Sequence, residues 1–254
     1  MRLSPALPVA VAALAAALLP APAAAAQVRE YVAMGDSYSS GTGAGDYTDI
    51  ACTRSRNAYP ARWAAANSPG AFRFVACGGA RIPDVQNTQL PALTSATELV
   101  SISIGGNDSG FASTMISCRY FSTIACQNAL RNAAVFVRTE LPGRLDTLYT
   151  AIRTRAPRAR VVVLGYPYLY REGGVCAGMN ATKRELINDG SDQLNAVIAD
   201  RARAAGFAFA DARPAFAGHE ICTADEWIDG GNVHPTAEGH AKGYLPAFAA
   251  ATDG

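Results

Sequence analysis

An α/β protein with a five-stranded parallel sheet is the fold this chain predicts, on three observations. Five short, apolar, β-rich runs recur along it, and the stretches between them are long and carry helical spacing. No repeat, low-complexity tract or Pro/Gly/Ser linker divides the chain after residue 27. Strands that alternate with helices pair in parallel, because each crossover returns the chain to the same end of the sheet.

The elements follow in order. Residues 1–26 stand apart: Arg2, the apolar run VAVAALAAALLP and the small-residue tail APAAAA have the layout of a secretory signal peptide, with Ala24 and Ala26 forming an A-x-A site before Gln27. The apolar stretch is shorter than the ~20 residues a membrane span needs, which favours processing and export over anchoring. The remaining residues, 27–254, fit one domain, able to bury roughly 70% of its unfolded surface. Its β-rich runs are EYVAMG (30–35), FRFVAC (72–77), ELVSISIG (98–105), ARVVVLGYP (159–167) and FAFADA (207–212). Helical spacing covers Tyr59 to Asn67, Asn128 to Arg155, and Asn180 to Ala205, where Leu186, Leu194, Val197 and Ile198 suggest a buried stripe. A further helix is expected at the C-terminus.

A formal charge of +1 with the two signs mixed supplies no basic stripe, so nucleic acid is not an expected partner. Six cysteines without a C-x-x-C pair, in a chain bound for an oxidising compartment, read as three disulfides rather than a metal site. Fifteen pairings are open; sequence order, Cys52 with Cys77, Cys118 with Cys126 and Cys176 with Cys222, is the simplest.

Ligands of open parallel sheets bind beyond the carboxyl ends of the strands, so those ends decide function. The first run ends in Gly35-Asp36-Ser37, a tight turn that can present a hydroxyl, although Gly-Asp-Ser is also ordinary turn and cap chemistry. The second ends in Cys77-Gly78-Gly79, where the amide of Gly79 can approach a ligand closely. The third ends in Gly105-Gly106-Asn107, whose amide side chain can donate to an oxyanion. Each is weak alone; a hydroxyl and two anion donors at successive strand ends are not. A serine needs a base, and the chain holds only His219, His234 and His240. His234, in Asn232-Val233-His234-Pro235, follows the last strand on a loop able to fold over the cleft. His240 is expected on the C-terminal helix as a surface or packing residue, and His219 in a loop near Cys222.

In this order and spacing, the segments GDSYSSG, ACGGA, GGND and NVHP resemble the blocks that define the SGNH (GDSL-type) hydrolases, over nearly the whole of residues 27–254. The resemblance is to the secreted, disulfide-bonded bacterial esterase, lipase and phospholipase branch. It implies a flavodoxin-like three-layer α/β/α sandwich, cysteines paired in sequence order, Ser37 as nucleophile, His234 as base, and an oxyanion hole from the Ser37 and Gly79 amides with the Asn107 side chain. One position departs from the pattern: Gly231 stands three residues before His234, where many members carry Asp. Members of the secreted branch orient this histidine with a main-chain carbonyl, so the resemblance implies that role for the carbonyl of Gly231 or Asn232, with the Asp229 side chain as the alternative.

The expected reaction is acyl transfer from an ester to water through an acyl-Ser37, without metal or organic cofactor. The expected partner is a small-molecule or lipid ester, met by a monomer that touches lipid interfaces transiently without stable insertion. Within hydrolases, a lipase or carboxylesterase is preferred over a phospholipase or carbohydrate acetylesterase. Tyr166, Pro167, Tyr168, Leu169 and Tyr170 can line an acyl groove, or can be packed loop aromatics. A non-catalytic secreted binding protein on the same fold is the rival class, which the presence of both nucleophile and base disfavours. A peptidase using the same serine and histidine is separable by comparing an amide with its matching ester.

Overall fold

The computed structural model describes Met1 and residues 27–252; apart from Met1, the expected signal peptide lies outside the described residues. Five strands form the main sheet: β1 (Glu30–Gly35), β2 (Ala71–Phe74), β3 (Leu99–Ser103), β4 (Arg160–Leu164) and β5 (Ala208–Ala210). Their spatial order is β2-β1-β3-β4-β5, every pair parallel, with Glu30 opposite Ala71 on one side of β1 and Gly35 opposite Ser103 on the other. That is the flavodoxin-like order, in which strand order reverses between β1 and β3 and opens a crevice at their carboxyl ends.

Tyr31, Val32, Ala33 and Met34 of β1 are all inaccessible to solvent, since helices cover both faces of the sheet. Among the helices are α1 (Ser37–Ser40), α2 (Tyr59–Asn67), α3 (Phe111–Tyr120), α4 (Thr123–Thr139), α5 (Leu141–Arg155), α6 (Ala181–Ala204) and α7 (Leu245–Thr252). On one face α2 packs on α7, and Tyr31 of the sheet meets Trp63 and Phe248 of these helices with ring centroids 5.1 and 5.7 Å apart. On the other face α4, α5 and α6 pack together, and Leu141, Leu145, Leu148 and Ile152 of α5 are fully buried. The chain is therefore an α/β/α sandwich.

Several expectations change in detail. The helical stretch 128–155 is two helices, broken at Glu140 because Pro142, at the start of α5, has no N–H and its ring obstructs the preceding turn. The buried stripe of α6 runs through Ile187, Leu194 and Ile198, whereas Leu186 and Val197 are half-buried. β2 to β5 are shorter than the runs that announced them, because the final residues of each run leave the sheet as loops, and those after β2, β3 and β4 lead to Ser37. All three disulfides follow sequence order: Cys52–Cys77, Cys118–Cys126 and Cys176–Cys222.

Candidate active site

Ser37 opens α1 directly after β1 and is 8% exposed. The turn that presents it requires Gly35: its φ is +119°, and a Cβ there would lie 2.4 Å from the Ser103 carbonyl oxygen of the adjoining strand. Asp36 caps the turn. One of its carboxylate oxygens accepts from the Tyr38 amide at 3.0 Å and the Ser103 hydroxyl at 2.7 Å, and the other accepts from the Tyr166 hydroxyl. The Tyr166 oxygen in turn accepts the Gly106 amide at 3.1 Å, so one buried carboxylate joins the turns after β1, β3 and β4. Burial raises the Asp36 pKa to about 6, against the pull of these hydrogen bonds.

The expected oxyanion donors converge on Ser37. Gly79 has φ +78°, and a Cβ there would meet nothing within 4 Å, so this turn faces open space. The neighbouring Gly78 is held: its amide donates to the Cys52 carbonyl at 2.9 Å, and a Cβ would strike Thr53 Oγ1 at 2.6 Å. The Cys52–Cys77 disulfide closes the same contact. Asn107 donates from Nδ2 to the Ala80 carbonyl at 3.1 Å, which fixes the side chain and leaves the second hydrogen of the amide for a ligand. Asp108 braces the pair of turns by accepting the Ile82 amide at 3.1 Å.

His234 opens the second of two short antiparallel strands, Ile228–Asp229 and His234–Pro235, at the end of the loop that joins them. Its Nδ1 lies 2.7 Å from the Asn232 carbonyl oxygen. A carbonyl only accepts, so Nδ1 carries the proton and Nε2 presents a lone pair. The other two candidates for orienting it are engaged elsewhere. The Gly231 carbonyl takes Arg119 Nη1 at 3.2 Å, as does that of Gly230 at 2.7 Å. The Asp229 carboxylate accepts the Gly231 amide at 2.6 Å and the Asn232 side chain at 2.9 Å, which shapes the loop without touching the ring. Tyr38 completes the anchoring: its hydroxyl donates to the Val233 carbonyl at 2.6 Å and its ring lies 5.3 Å from that of His234. Burial lowers the His234 pKa, partly offset by the Asn232 hydrogen bond and the Asp229 charge, so the ring is neutral near pH 7.

Neither other histidine reaches the site. His240 is fully buried, the packing rather than the surface alternative, with Nδ1 accepting the Tyr59 amide at 3.3 Å and its pKa pushed down to about 3 by burial. His219 stacks on Trp227 at 3.5 Å and holds the Asp225 carbonyl at 2.9 Å.

Two hollows meet at Ser37. An open cleft of about 440 Å³ is bordered by Ser37, Gly79, Asn107 and His234. A narrow apolar slot leaves the same serine in another direction, between α4 and α6. Of the expected acyl-groove residues, Tyr166, Pro167 and Leu169 line this slot. Tyr168 and Tyr170 do not; they border a polar depression with Asp192, Asp211 and Arg213, where the Tyr168 hydroxyl donates to Asp192 at 2.8 Å. Among the described residues no helix is long and apolar enough to cross a membrane, and no cluster of metal-ligating side chains occurs.

Comparison with known proteins agrees with this architecture. The chain is 51% identical to Lipase 1 of Streptomyces coelicolor over 227 residues, which is 86% of this chain and 85% of that protein. It is 48% identical to a lipase of Streptomyces rimosus over 235 residues, 89% of this chain and 88% of that one. The crystal structure of the extracellular lipase of S. rimosus superposes with a TM-score of 0.86 at 47% identity, covering 88% of this chain and all of that one. That of phospholipase A1 from Streptomyces albidoflavus NA297 also gives 0.86, at 48% identity, with 88% and 99% covered. Residues 33–242 match the profile of one family, and with the sheet order and the turns around Ser37 already described, the chain belongs to the GDSL-like lipase/acylhydrolase family.

Proposed function

We propose that the protein is an exported ester hydrolase that acts on acyl esters of lipid character, with Ser37 as nucleophile and His234 as general base. The observation that carries this reading is the 2.7 Å contact of His234 Nδ1 with the Asn232 carbonyl, on the border of the cleft it shares with Ser37: with Nδ1–H so committed, Nε2 is left as the proton acceptor. His234 takes the Ser37 proton as Oγ attacks the ester carbonyl. The developing oxyanion is received by the amides of Ser37 and Gly79 and the side chain of Asn107, and water then releases the acyl group with the same base. A neutral carbonyl stabilises the imidazolium less than a carboxylate would, since charge-assisted hydrogen bonds are roughly twice as strong. The dyad therefore leans on oxyanion stabilisation.

Three disulfides and the extracellular S. rimosus relative support export. The lipase and phospholipase A1 relatives support a lipid ester as substrate. Hydrolysis of p-nitrophenyl esters from acetyl to palmitoyl by the wild type, Ser37→Ala and His234→Ala tests the reading, with circular dichroism to show that all are folded. The expected result is turnover of at least one ester by the wild type and a loss of at least about 10³-fold in either variant. Equal rates in the folded wild type and Ser37→Ala would overturn it.

A further inference from the structure

We infer that the apolar slot beside Ser37 holds the acyl chain, and that Gly190 on α6 sets how deep that chain reaches; this rests on the ester-hydrolase reading above. The direction follows from the path of the proton. During acylation the Ser37 proton passes to Nε2 of His234 as the bond from Oγ to the acyl carbon forms. The bond from that carbon to the alkoxy oxygen then breaks, and the departing oxygen takes the proton from His234. The leaving oxygen must therefore lie on the His234 side. His234 borders the open cleft and not the slot, whereas Ser37 and Asn107 border both. With the reacting carbon at the junction and the alcohol in the cleft, the acyl substituent points into the slot.

The slot suits hydrocarbon. Beyond Ser37 it is walled by Leu130 and Val137 of α4 and Ile187 and Leu194 of α6, and Asp36, at the catalytic end, is the one charged residue among those described that borders it. Room exists between the two helices because Ala133 and Ala134 on α4 and Gly190 on α6 are small. Gly190 lies in the middle of a 24-residue helix, where glycine is the weakest former after proline, so helix formation does not account for it. A Cβ at this position would come within 3.2 Å of Leu130 Cδ2, closer than ordinary van der Waals contact. Any larger side chain has to displace Leu130 or fill the slot.

The test compares the wild type with Gly190→Leu and, from the opposite wall, Ala134→Leu; leucine forms helix far better than glycine and nearly as well as alanine. The readout is the ratio of kcat/KM for the decanoyl over the acetyl p-nitrophenyl ester. Each methylene withdrawn from apolar contact is worth about fourfold, so excluding two or three lowers the ratio about 15- to 60-fold. A ratio within twofold of the wild type in both folded variants, or an equal fall at every chain length, would overturn the assignment. Calorimetric binding of decanoate to Ser37→Ala, with and without Gly190→Leu, reads the slot without catalysis. Weaker binding in the double variant supports the slot even where no ester is turned over, which separates its fate from that of the hydrolase reading. Unchanged affinity counts against it.

Discussion

Asn107 illustrates how much a single side chain carries here. Its amide is fixed through the Ala80 carbonyl, so on the proposed mechanism it meets developing charge without reorganising, and removal of one such donor typically costs ~2.7–4 kcal/mol in the transition state. Asn107→Ala is expected to lower kcat about 10²–10³-fold while leaving the melting temperature within a few degrees; an unchanged kcat in the purified variant would remove Asn107 from the oxyanion hole. As the proposed base, His234 is expected to set the acid limb of the pH profile. In that role it acts only when neutral, and burial has lowered its pKa, so the acid limb of log kcat/KM should fall with unit slope about a midpoint below 6.5. A midpoint above 6.5 would contradict the desolvated environment. Asp36 works in the opposite sense for stability. Its pKa is raised from 3.8 to about 6 by burial, so the fold is favoured while the carboxyl is protonated and loses on the order of 3 kcal/mol as pH rises through that value. A buried charge beside Ser37 is the energetic concession that the three joined turns require.

Among elements, α6 does more than cover the sheet. Two asparagines one heptad apart on its buried face, Asn188 and Asn195, grip the loop after β4. Asn195 accepts the Tyr166 amide at 2.8 Å and donates to the Tyr166 carbonyl at 2.7 Å, and Asn188 donates to the Tyr170 carbonyl at 2.8 Å. These bonds satisfy buried backbone groups that no strand partner reaches, and they hold the Tyr166 ring where it ties Gly106 to Asp36. Asn195→Ala should destabilise the protein by about 2–4 kcal/mol in urea unfolding, since two buried backbone groups lose partners together. A change below 0.5 kcal/mol would mean that the loop is held by packing alone. In the sequence these asparagines interrupt an apolar stripe and pass for helix surface. Asparagine at positions i and i+7 within such a stripe was the available signal.

At the scale of the molecule, the three disulfides close loops of very different size, with sequence separations of 46, 25 and 8 for Cys176–Cys222, Cys52–Cys77 and Cys118–Cys126. In the chain-entropy account this ranks their stabilisation at roughly 4, 3.5 and 2.5 kcal/mol. Paired Cys→Ala variants measured by urea denaturation should follow that order; a largest loss at Cys118–Cys126 would show that native-state contacts outweigh loop closure. Cys52–Cys77 should also affect activity, because it braces the Gly78–Gly79 turn.

The sequence by itself determined the α/β class, the five strands, and the presence of a hydroxyl, two anion donors and a histidine in loops after strands. Those properties are local: apolar periodicity and turn chemistry act over a few residues and are legible wherever they occur. Only the tertiary structure decided that Asn232 rather than Gly231 or Asp229 holds His234, that His240 is buried, that Tyr168 and Tyr170 border a separate depression, and that Tyr38 and Arg119 anchor the His234 loop. Tyr38 reaches Val233 across 195 positions and Arg119 reaches Gly230 across 111. A side chain at either end of such a contact looks ordinary in sequence. Its role arises when packing fixes which of several equivalent donors and acceptors are close enough, within about 3 Å, to pair.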